Sequence, residues 1–256
     1  MPSLADDHVT ERARNALATR HRPRLPIIVV CSARPRVGRT LLARLLTEFF
    51  LADGRPAIAF DANPNDRALS GFLPTHSIPA EIAGTWGQMA LFDSLVVNDG
   101  VAKVVDLAPE LFGPFFELVM RLEFLAAART RSIDVLALFL AEDHPRSAEL
   151  CQTLVHDFAG MTLVPVHNEA IAAPDFQRST AGPSLRLSAL SPLLQGVINR
   201  PSFSFAEYVR NQSNAQTGLN AWISRTFIGF RDLELRLLLA DVDRSFSAAS
   251  AVQANG

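Results

Sequence analysis

An unbroken apolar run, followed by an arginine-rich loop and an apolar-striped segment, constrains the fold of this chain more than any other feature. The run from Leu25 to Ser32 is typical of a strand buried on both faces of a parallel sheet. From Thr40 onward apolar residues recur at helical spacing, and Gly54 ends the predicted helix. A strand, a tight loop and a helix in this order predict the start of an α/β fold.

The loop carries a phosphate-binding pattern with two of its key residues changed. It reads Ala33-Arg34-Pro35-Arg36-Val37-Gly38-Arg39-Thr40. The usual pattern is G-x-x-x-x-G-K-[ST], in which amide N–H groups cradle phosphate, the lysine reaches the β- and γ-phosphates and the hydroxyl reaches Mg²⁺. Here Ala33 replaces the first glycine and Arg39 replaces the lysine. Because Arg39 can bind phosphate bidentately and a helix starts beside it, we expect anion binding to survive.

The remaining chain alternates predicted strands with predicted helices. Further strands are predicted at 55–61, 101–106, 133–140, 161–166 and 184–190, and further helices at 87–97, 112–125, 145–158, 193–209 and 221–242. Residues 62–98 are less legible because prolines and glycines interrupt them. The alternation predicts a doubly wound, mostly parallel sheet with helices on both faces, like that of P-loop NTPases, and ligands at the carboxyl ends of its strands.

Composition narrows the class of protein. We predict a mobile, arginine-rich arm at residues 1–24, one domain at 25–244 and a flexible tail at 245–256. The formal net charge of −2 gives no general attraction to nucleic acid or anionic membrane. Cys31 and Cys151 are predicted to be buried, unpaired thiols. With no apolar run long enough for a membrane helix and a polar amino terminus, we expect a cytoplasmic protein.

Two aspartates stand at the ends of later predicted strands. Asp61 stands in Phe-Asp-Ala-Asn-Pro-Asn after the second predicted strand, and Asp106 stands in Val-Val-Asp-Leu-Ala-Pro after the third. Together with the loop, these segments resemble the ParA/MinD family of P-loop ATPases over roughly residues 25–210. Either aspartate could instead cap a loop or a helix, as aspartates at strand ends often do.

The resemblance implies a nucleotide site with ATP or ADP and Mg²⁺. It assigns nucleotide contacts to Arg34, Arg36, Val37, Gly38, Arg39, Thr40, Leu41 and Asn168, and metal contacts to Thr40, Asp61 and Asp106. In that family a signature lysine, here Arg34, reaches across a nucleotide-sandwiched dimer, and an asparagine, here Asn168, reads adenine. The position of a second aspartate that places the attacking water is Asn63.

These departures predict a degenerate Walker A site with slow or absent hydrolysis, because phosphoryl transfer depends on placed charges. The leading hypothesis is a positioning or partitioning factor, and any enzyme activity would be that of an ATPase. A nucleotide-independent scaffold, or pseudo-ATPase subunit, is one alternative. A DNA-binding partition ATPase is another, although acids interleave with the arginines of the last helix. We expect a homodimer or a protein partner, and no membrane binding.

Overall fold

The computed structural model describes residues 26–171, 183–201 and 203–254, with side chains to residue 242. Within these residues seven strands form one sheet. They are β1 Ile27–Ser32, β2 Ala57–Ala62, β3 Ser77–Pro79, β4 Ala102–Leu107, β5 Val135–Leu140, β6 Thr162–Asn168 and β7 Leu185–Leu187. Their order is β3-β2-β4-β1-β5-β6-β7, and every neighbouring pair is parallel. The predicted α/β fold is confirmed, and the sheet is parallel throughout.

Helices cover both faces of this sheet. They are α1 Arg39–Ala52, α2 Ala68–Phe72, α3 Thr85–Leu95, α4 Phe112–Arg121, α5 Phe124–Thr130, α6 Pro145–Asp157, α7 Pro192–Ile198, α8 Phe205–Arg210 and α9 Gly218–Ala254. One apolar core joins the sheet to α1, α7, α8 and α9, and a second joins it to α3, α4, α5 and α6. Two buried faces explain why the central strands read as continuous apolar runs rather than alternating ones.

Three local predictions were wrong in detail. The short edge strand β3 was not predicted, because it has three residues, includes Pro79 and buries none of them. The helix predicted over 193–209 is two helices, α7 and α8, with Pro201 in the segment between them. The helix predicted over 112–125 ends at Arg121, and Glu123 turns the chain in a left-handed conformation, φ 48°, before α5.

Of the two predicted domain boundaries, only the one at residue 244 lies within the described residues. Residues 1–24, predicted as an arm, lie outside the described residues. Helix α9 crosses the predicted boundary at 244 and continues to Ala254, so the flexibility of 245–256 stays a prediction. Cys31 and Cys151 are buried free thiols, as expected. In the part of the chain that the structure describes, no helix is long and apolar enough to cross a membrane.

The topology places the arginine-rich loop at the carboxyl end of the central strand, β1. Strand β1 lies between β4 and β5, and the chain leaves β1 toward β2 on one side before returning to β5 on the other. In open parallel sheets such a reversal leaves a crevice at the carboxyl ends of the strands, where ligands bind. The loop between β1 and α1 sits at this crevice.

Candidate functional site

Two backbone turns form the loop between β1 and α1. Arg36 has φ 64° and Gly38 has φ 96°, so both lie in the left-handed region, and α1 starts at the next residue. The Ser32 hydroxyl donates to the Arg34 carbonyl at 2.8 Å, which fixes the start of the loop. No side chain caps α1, because the N-cap residue is Gly38. The first N–H groups of α1 therefore have no acceptor within the helix.

Gly38 is required by a close neighbour as well as by its φ. A Cβ at this position would lie 2.8 Å from Nδ2 of Asn168. That Nδ2 donates to the Val37 carbonyl at 3.0 Å, and the Oδ1 of Asn168 accepts from the Ala170 N–H at 3.0 Å. Asn168, at the end of β6, thus anchors the loop between β1 and α1 through the Val37 carbonyl. Its predicted contact with adenine stays a prediction.

Arg39 turns toward the neighbouring strand. Its Nη1 donates to Oδ1 of Asp106 at 3.1 Å and to the carbonyl of Leu107. The Thr40 hydroxyl donates to the other carboxylate oxygen, Oδ2 of Asp106, at 2.6 Å. Arg39 is 6% exposed and its Nε is buried with no hydrogen-bond partner. The sequence placed these three residues in one site, and the structure brings them into contact.

Burial dominates the electrostatics of Asp106, which is 1% exposed. Loss of water raises the pKa of this carboxyl above its usual value, and the charges of Asp61 and Asp66 add to that direction. The Arg39 charge and the Thr40 hydrogen bond oppose it without reversing it. The cation and the hydroxyl beside Asp106 therefore favour its anionic form, and burial disfavours that form.

Asp61 lies next to Asp106 and has a different set of partners. The two residues are register partners on the adjacent strands β2 and β4. Oδ2 of Asp61 accepts from both the N–H and the hydroxyl of Ser70, at 2.9 Å each, in the short helix α2. Oδ1 of Asp61 is buried and has no hydrogen-bond partner. The capping alternative thus describes one of its two oxygens, and the other is left without a partner.

The other residues predicted to contact nucleotide lie in the loop itself and at the start of α1. Arg34 is 56% exposed and its nearest acid is Glu142, at 3.9 Å. Arg36 is exposed, Val37 is buried and Leu41 is half-buried at the start of α1. These positions leave the two exposed arginines free to approach a bound anion, and their nucleotide contacts stay predictions.

Asn63 serves its own loop. Its Oδ1 accepts from the N–H groups of Asn65 and Asp66, both at 3.2 Å, which forms a small side-chain turn after β2. Such a turn is a common local use of asparagine. The Asn63 side chain is therefore occupied in loop geometry, at the position where the resemblance implies a residue that places water.

Glu142 is a site residue that the sequence prediction missed. It follows β5 as Asp61 and Asp106 close β2 and β4, and its Oε1 is buried without a partner. The available signal was this same position, a carboxylate at the end of a buried strand. Leu107 was also missed, because a backbone carbonyl as an acceptor for Arg39 leaves no mark on the sequence.

Chemically, the arrangement suits an anion. Unpaired N–H groups at the start of α1 carry the positive end of the helix dipole, and the side chain of Arg39 adds a fixed positive charge. A guanidinium that has an unused N–H donor can bind a phosphate oxygen while it remains paired with a carboxylate. The loop and the start of α1 therefore present donor groups of the kind that bind phosphate.

The fit to Mg²⁺ is poorer. One hydroxyl and two carboxylates are ligand types that Mg²⁺ accepts. In this arrangement, however, both oxygens of Asp106 already accept hydrogen bonds, one of them from a cation. Among the described residues, no three His, Cys, Asp or Glu side chains cluster as a metal site. The residues match a magnesium site in type, and their contacts do not leave it open.

Similarity to known proteins is confined to solved structures. No protein-family model and no curated protein matches the chain. It is similar to a nucleotide-binding protein of Archaeoglobus fulgidus in complex with ADP, at 12% identity and TM-score 0.44, over 70% of this chain and 90% of that one. It is also similar to the MinC:MinD cell division protein complex of Aquifex aeolicus, at 13% identity and TM-score 0.44, over 78% of this chain and 94% of that one. A further similar structure is an ATP complex of a McdA variant from Cyanothece, at 14% identity and TM-score 0.43, over 82% of this chain and 96% of that one.

Proposed function

We propose that this chain is a ParA/MinD-like nucleotide-binding protein that holds ATP or ADP through Arg39 and hydrolyses ATP slowly or not at all. We infer that it works as a positioning or partitioning factor in the cytoplasm. The observation that carries the proposal is the Arg39 side chain, buried at the start of α1, paired with Asp106 and left with an unpartnered Nε. A buried donor without an acceptor costs free energy, and a phosphate oxygen would supply the acceptor.

Weak hydrolysis follows from where the charged groups lie. The guanidinium of Arg39 is anchored to Asp106 and to the Leu107 carbonyl, on the strand side of the loop. Pro35 has no N–H to offer a phosphate, and the side chain of Asn63 is used in its own turn. Rate enhancement in phosphoryl transfer comes almost entirely from placed charges and in-line geometry, and here those elements are displaced.

The first test is a titration with a fluorescent ATP analogue. We expect saturable binding by the wild-type protein and loss of about tenfold or more in affinity for Arg39→Ala, since a charge-assisted hydrogen bond contributes about 1.5–3 kcal/mol. The matched control is Arg225→Ala, which removes an exposed arginine on α9, away from the loop. Equal affinities for the two variants would refute the role of Arg39.

An active ATPase is the enzyme alternative. It predicts phosphate release that is lost in Thr40→Ala and in Asp106→Ala, because the Asp106 carboxylate accepts from both Arg39 and the Thr40 hydroxyl. If both variants release phosphate as fast as wild type, the turnover comes from another site or another protein.

A nucleotide-independent scaffold has one specific observation in its favour. Large apolar residues on α9 are exposed on the described surface: Ile228, Leu235, Leu238, Leu239 and Val242. An apolar stripe of this kind is typical of a protein contact, which fits the expected homodimer or protein partner. The scaffold version predicts a dimer or complex whose mass, measured by sedimentation, does not change with nucleotide. A nucleotide-dependent mass would favour the switch.

The DNA-binding alternative is less well supported. Two of the arginines proposed for a basic surface are neutralised, because Arg231 pairs with Asp53 and Arg236 pairs with Asp232. DNA binding through this face predicts an affinity that falls steeply with salt and with Arg231→Ala. Absence of binding at low salt removes this alternative.

A further inference from the structure

Both oxygens of the carboxylate that would face a metal ion already accept a hydrogen bond from this chain. Oδ1 of Asp106 accepts from Nη1 of Arg39 and Oδ2 accepts from the hydroxyl of Thr40. With the carboxyl 1% exposed, no further room exists around it for a hydrated cation unless one of these contacts breaks. Mg²⁺ sheds its water ligands reluctantly, so it usually needs space for several of them.

Beside Asp106, Arg39 supplies the positive charge that a metal ion supplies in nucleotide sites with Mg²⁺. Its guanidinium is anchored by two acceptors on β4 and still has a buried Nε without a partner. An ammonium group has its three donors on one nitrogen, whereas a guanidinium spreads five donors over three nitrogens and can therefore reach acceptors that lie further apart. Charge compensation and a free donor are thus combined in one fixed group.

We infer that the loop binds the polyphosphate of a nucleotide without Mg²⁺, with the Arg39 guanidinium bridging Asp106 and a phosphate oxygen. This inference depends on the proposed function, since it specifies the form in which the nucleotide binds. The ligand is the metal-free nucleoside di- or triphosphate anion. Mg²⁺ in solution competes with the protein for that anion rather than assisting its binding.

The loop around Arg39 supports binding of a bare anion. Three arginines stand within the loop and at its end, at positions 34, 36 and 39, and the N–H groups of α1 add a positive dipole end. Against these stand Asp61 and Asp106 beneath the loop and Glu142 beside Arg34. The three carboxylates equal the three arginines in number, so the attraction for a bare anion rests on the exposed side chains of Arg34 and Arg36 and on the N–H groups of α1.

The test is a pair of calorimetric titrations with ATP, one in EDTA and one in excess Mg²⁺. The inference predicts that ATP binds in EDTA at least as tightly as in Mg²⁺. An affinity about threefold or more higher in Mg²⁺ would overturn it and leave the proposed nucleotide binding intact. No binding in either buffer would refute the proposed function itself, and the inference with it.

Arg39→Lys is the matched variant, because it keeps the charge and removes the planar fork. We expect it to lose affinity in EDTA and to bind ATP about tenfold or more tightly once Mg²⁺ is added, as the released Asp106 can then serve a metal. Thermal unfolding of the variant, measured beside wild type, establishes that it folds. If its affinities match those of wild type in both buffers, the guanidinium does not replace the metal and the inference fails.

Discussion

Helix α1 carries two buried arginines that differ in how completely their hydrogen bonds are satisfied. Arg39, at the start of the helix, pairs with Asp106 across the sheet edge. Arg44, just over one turn further along, pairs with Glu48 inside the same helix. Both side chains are buried, so the cost of removing a charge from water applies to each. Their surroundings show two different solutions to that cost.

In the Arg44–Glu48 pair, here the inner pair, all three guanidinium nitrogens donate hydrogen bonds. Arg44 donates from Nε to Glu48, from Nη1 to the Ile198 carbonyl and from Nη2 to the Phe203 carbonyl. Its guanidinium also lies 4.4 Å from the Phe72 ring centroid and 4.5 Å from that of Phe205. Burial lowers the pKa of Arg44, and the charge of Glu48 opposes that direction.

The second oxygen of Glu48 completes this inner network. It accepts from the Ser204 hydroxyl at 2.6 Å and from the Ala206 N–H at 3.1 Å. The pair thereby ties the segment between α7 and α8, and the start of α8, to the middle of α1. Nothing in it is left for a ligand, and we interpret it as a structural clamp.

The Arg39–Asp106 pair, here the outer pair, leaves a donor of Arg39 unused, and the neighbouring Asp61 leaves an acceptor unused. Nε of Arg39 and Oδ1 of Asp61 are both buried without partners, and the first turn of α1 has no side-chain cap. Buried polar groups are nearly always bonded, so orphans clustered at one sheet edge indicate a place where another molecule completes the bonding. On this comparison we interpret the satisfied pair on α1 as structural and the incompletely satisfied pair as part of the candidate site.

The largest expected effect is at the inner pair. Arg44→Met should lower the free energy of unfolding by about 3–5 kcal/mol, because it leaves the Glu48 carboxylate buried without its cation. Urea unfolding measures the change. Arg225→Met, at an exposed position on α9, is the control and should stay within about 0.5 kcal/mol of wild type. A cost near zero for Arg44→Met would break the distinction between the two pairs.

A second prediction concerns the backbone beneath the outer pair. Gly38→Ala should cost about 1–3 kcal/mol, because it places a side chain at φ 96° and pushes against the Asn168 amide. Gly71→Ala is the matched control in α2, since an added Cβ there meets nothing within 4 Å. We expect the control to be neutral or stabilising by up to about 1 kcal/mol. Equal losses in chemical denaturation would contradict the strain at Gly38.

A third variant probes the clamp at its acceptor. Ser204→Ala removes a hydroxyl that donates to Glu48 and accepts from the Glu207 N–H at the start of α8. The expected loss in the free energy of unfolding is about 1–2 kcal/mol, smaller than for Arg44→Met because the arginine remains. Ser94→Ala, whose hydroxyl donates within its own helix, should change little. A larger loss for the Ser94 variant would show that the clamp has no special weight.

The smallest loss of stability is expected at the outer pair. Arg39→Met should cost only about 1 kcal/mol, because burial raises the pKa of the Asp106 carboxyl, which can take up a proton when its cation is lost and can keep the Thr40 hydrogen bond. The comparison in urea is directly with Arg44→Met. Should the Arg39 variant prove the less stable of the two, the outer pair is structural and its assignment to binding is wrong.

Much of this architecture could be predicted because it is written in local patterns. Apolar runs and helical stripes indicated β1, β2, β4, β5 and β6, and strand-end aspartates indicated the sheet edge. Strand β3 has only three residues, too few to show an apolar pattern. The left-handed turn at Glu123 could not be predicted, because glycine is the usual signal for that conformation.

The contacts of the two buried arginines on α1 could not be predicted, for another reason. Arg39 could be named from the loop pattern, but its choice of Asp106 and the Leu107 carbonyl as acceptors depends on how β4 sits beside β1. The clamp of Arg44 and Glu48 joins α1 to residues 198–206, far along the chain. Such pairings follow from tertiary packing, so no local spacing signals them.

The most direct test of the central claim measures how much ATP stabilises the folded protein, with wild type and Arg39→Met side by side in urea. A ligand that binds only the folded state stabilises it by about 2.7 kcal/mol at a hundredfold excess over its Kd. We predict a gain of this order for wild type, and for Arg39→Met a gain near zero at the same ATP concentration. Equal gains in the two proteins, or none in wild type, would contradict the assignment of Arg39 as the phosphate-binding residue.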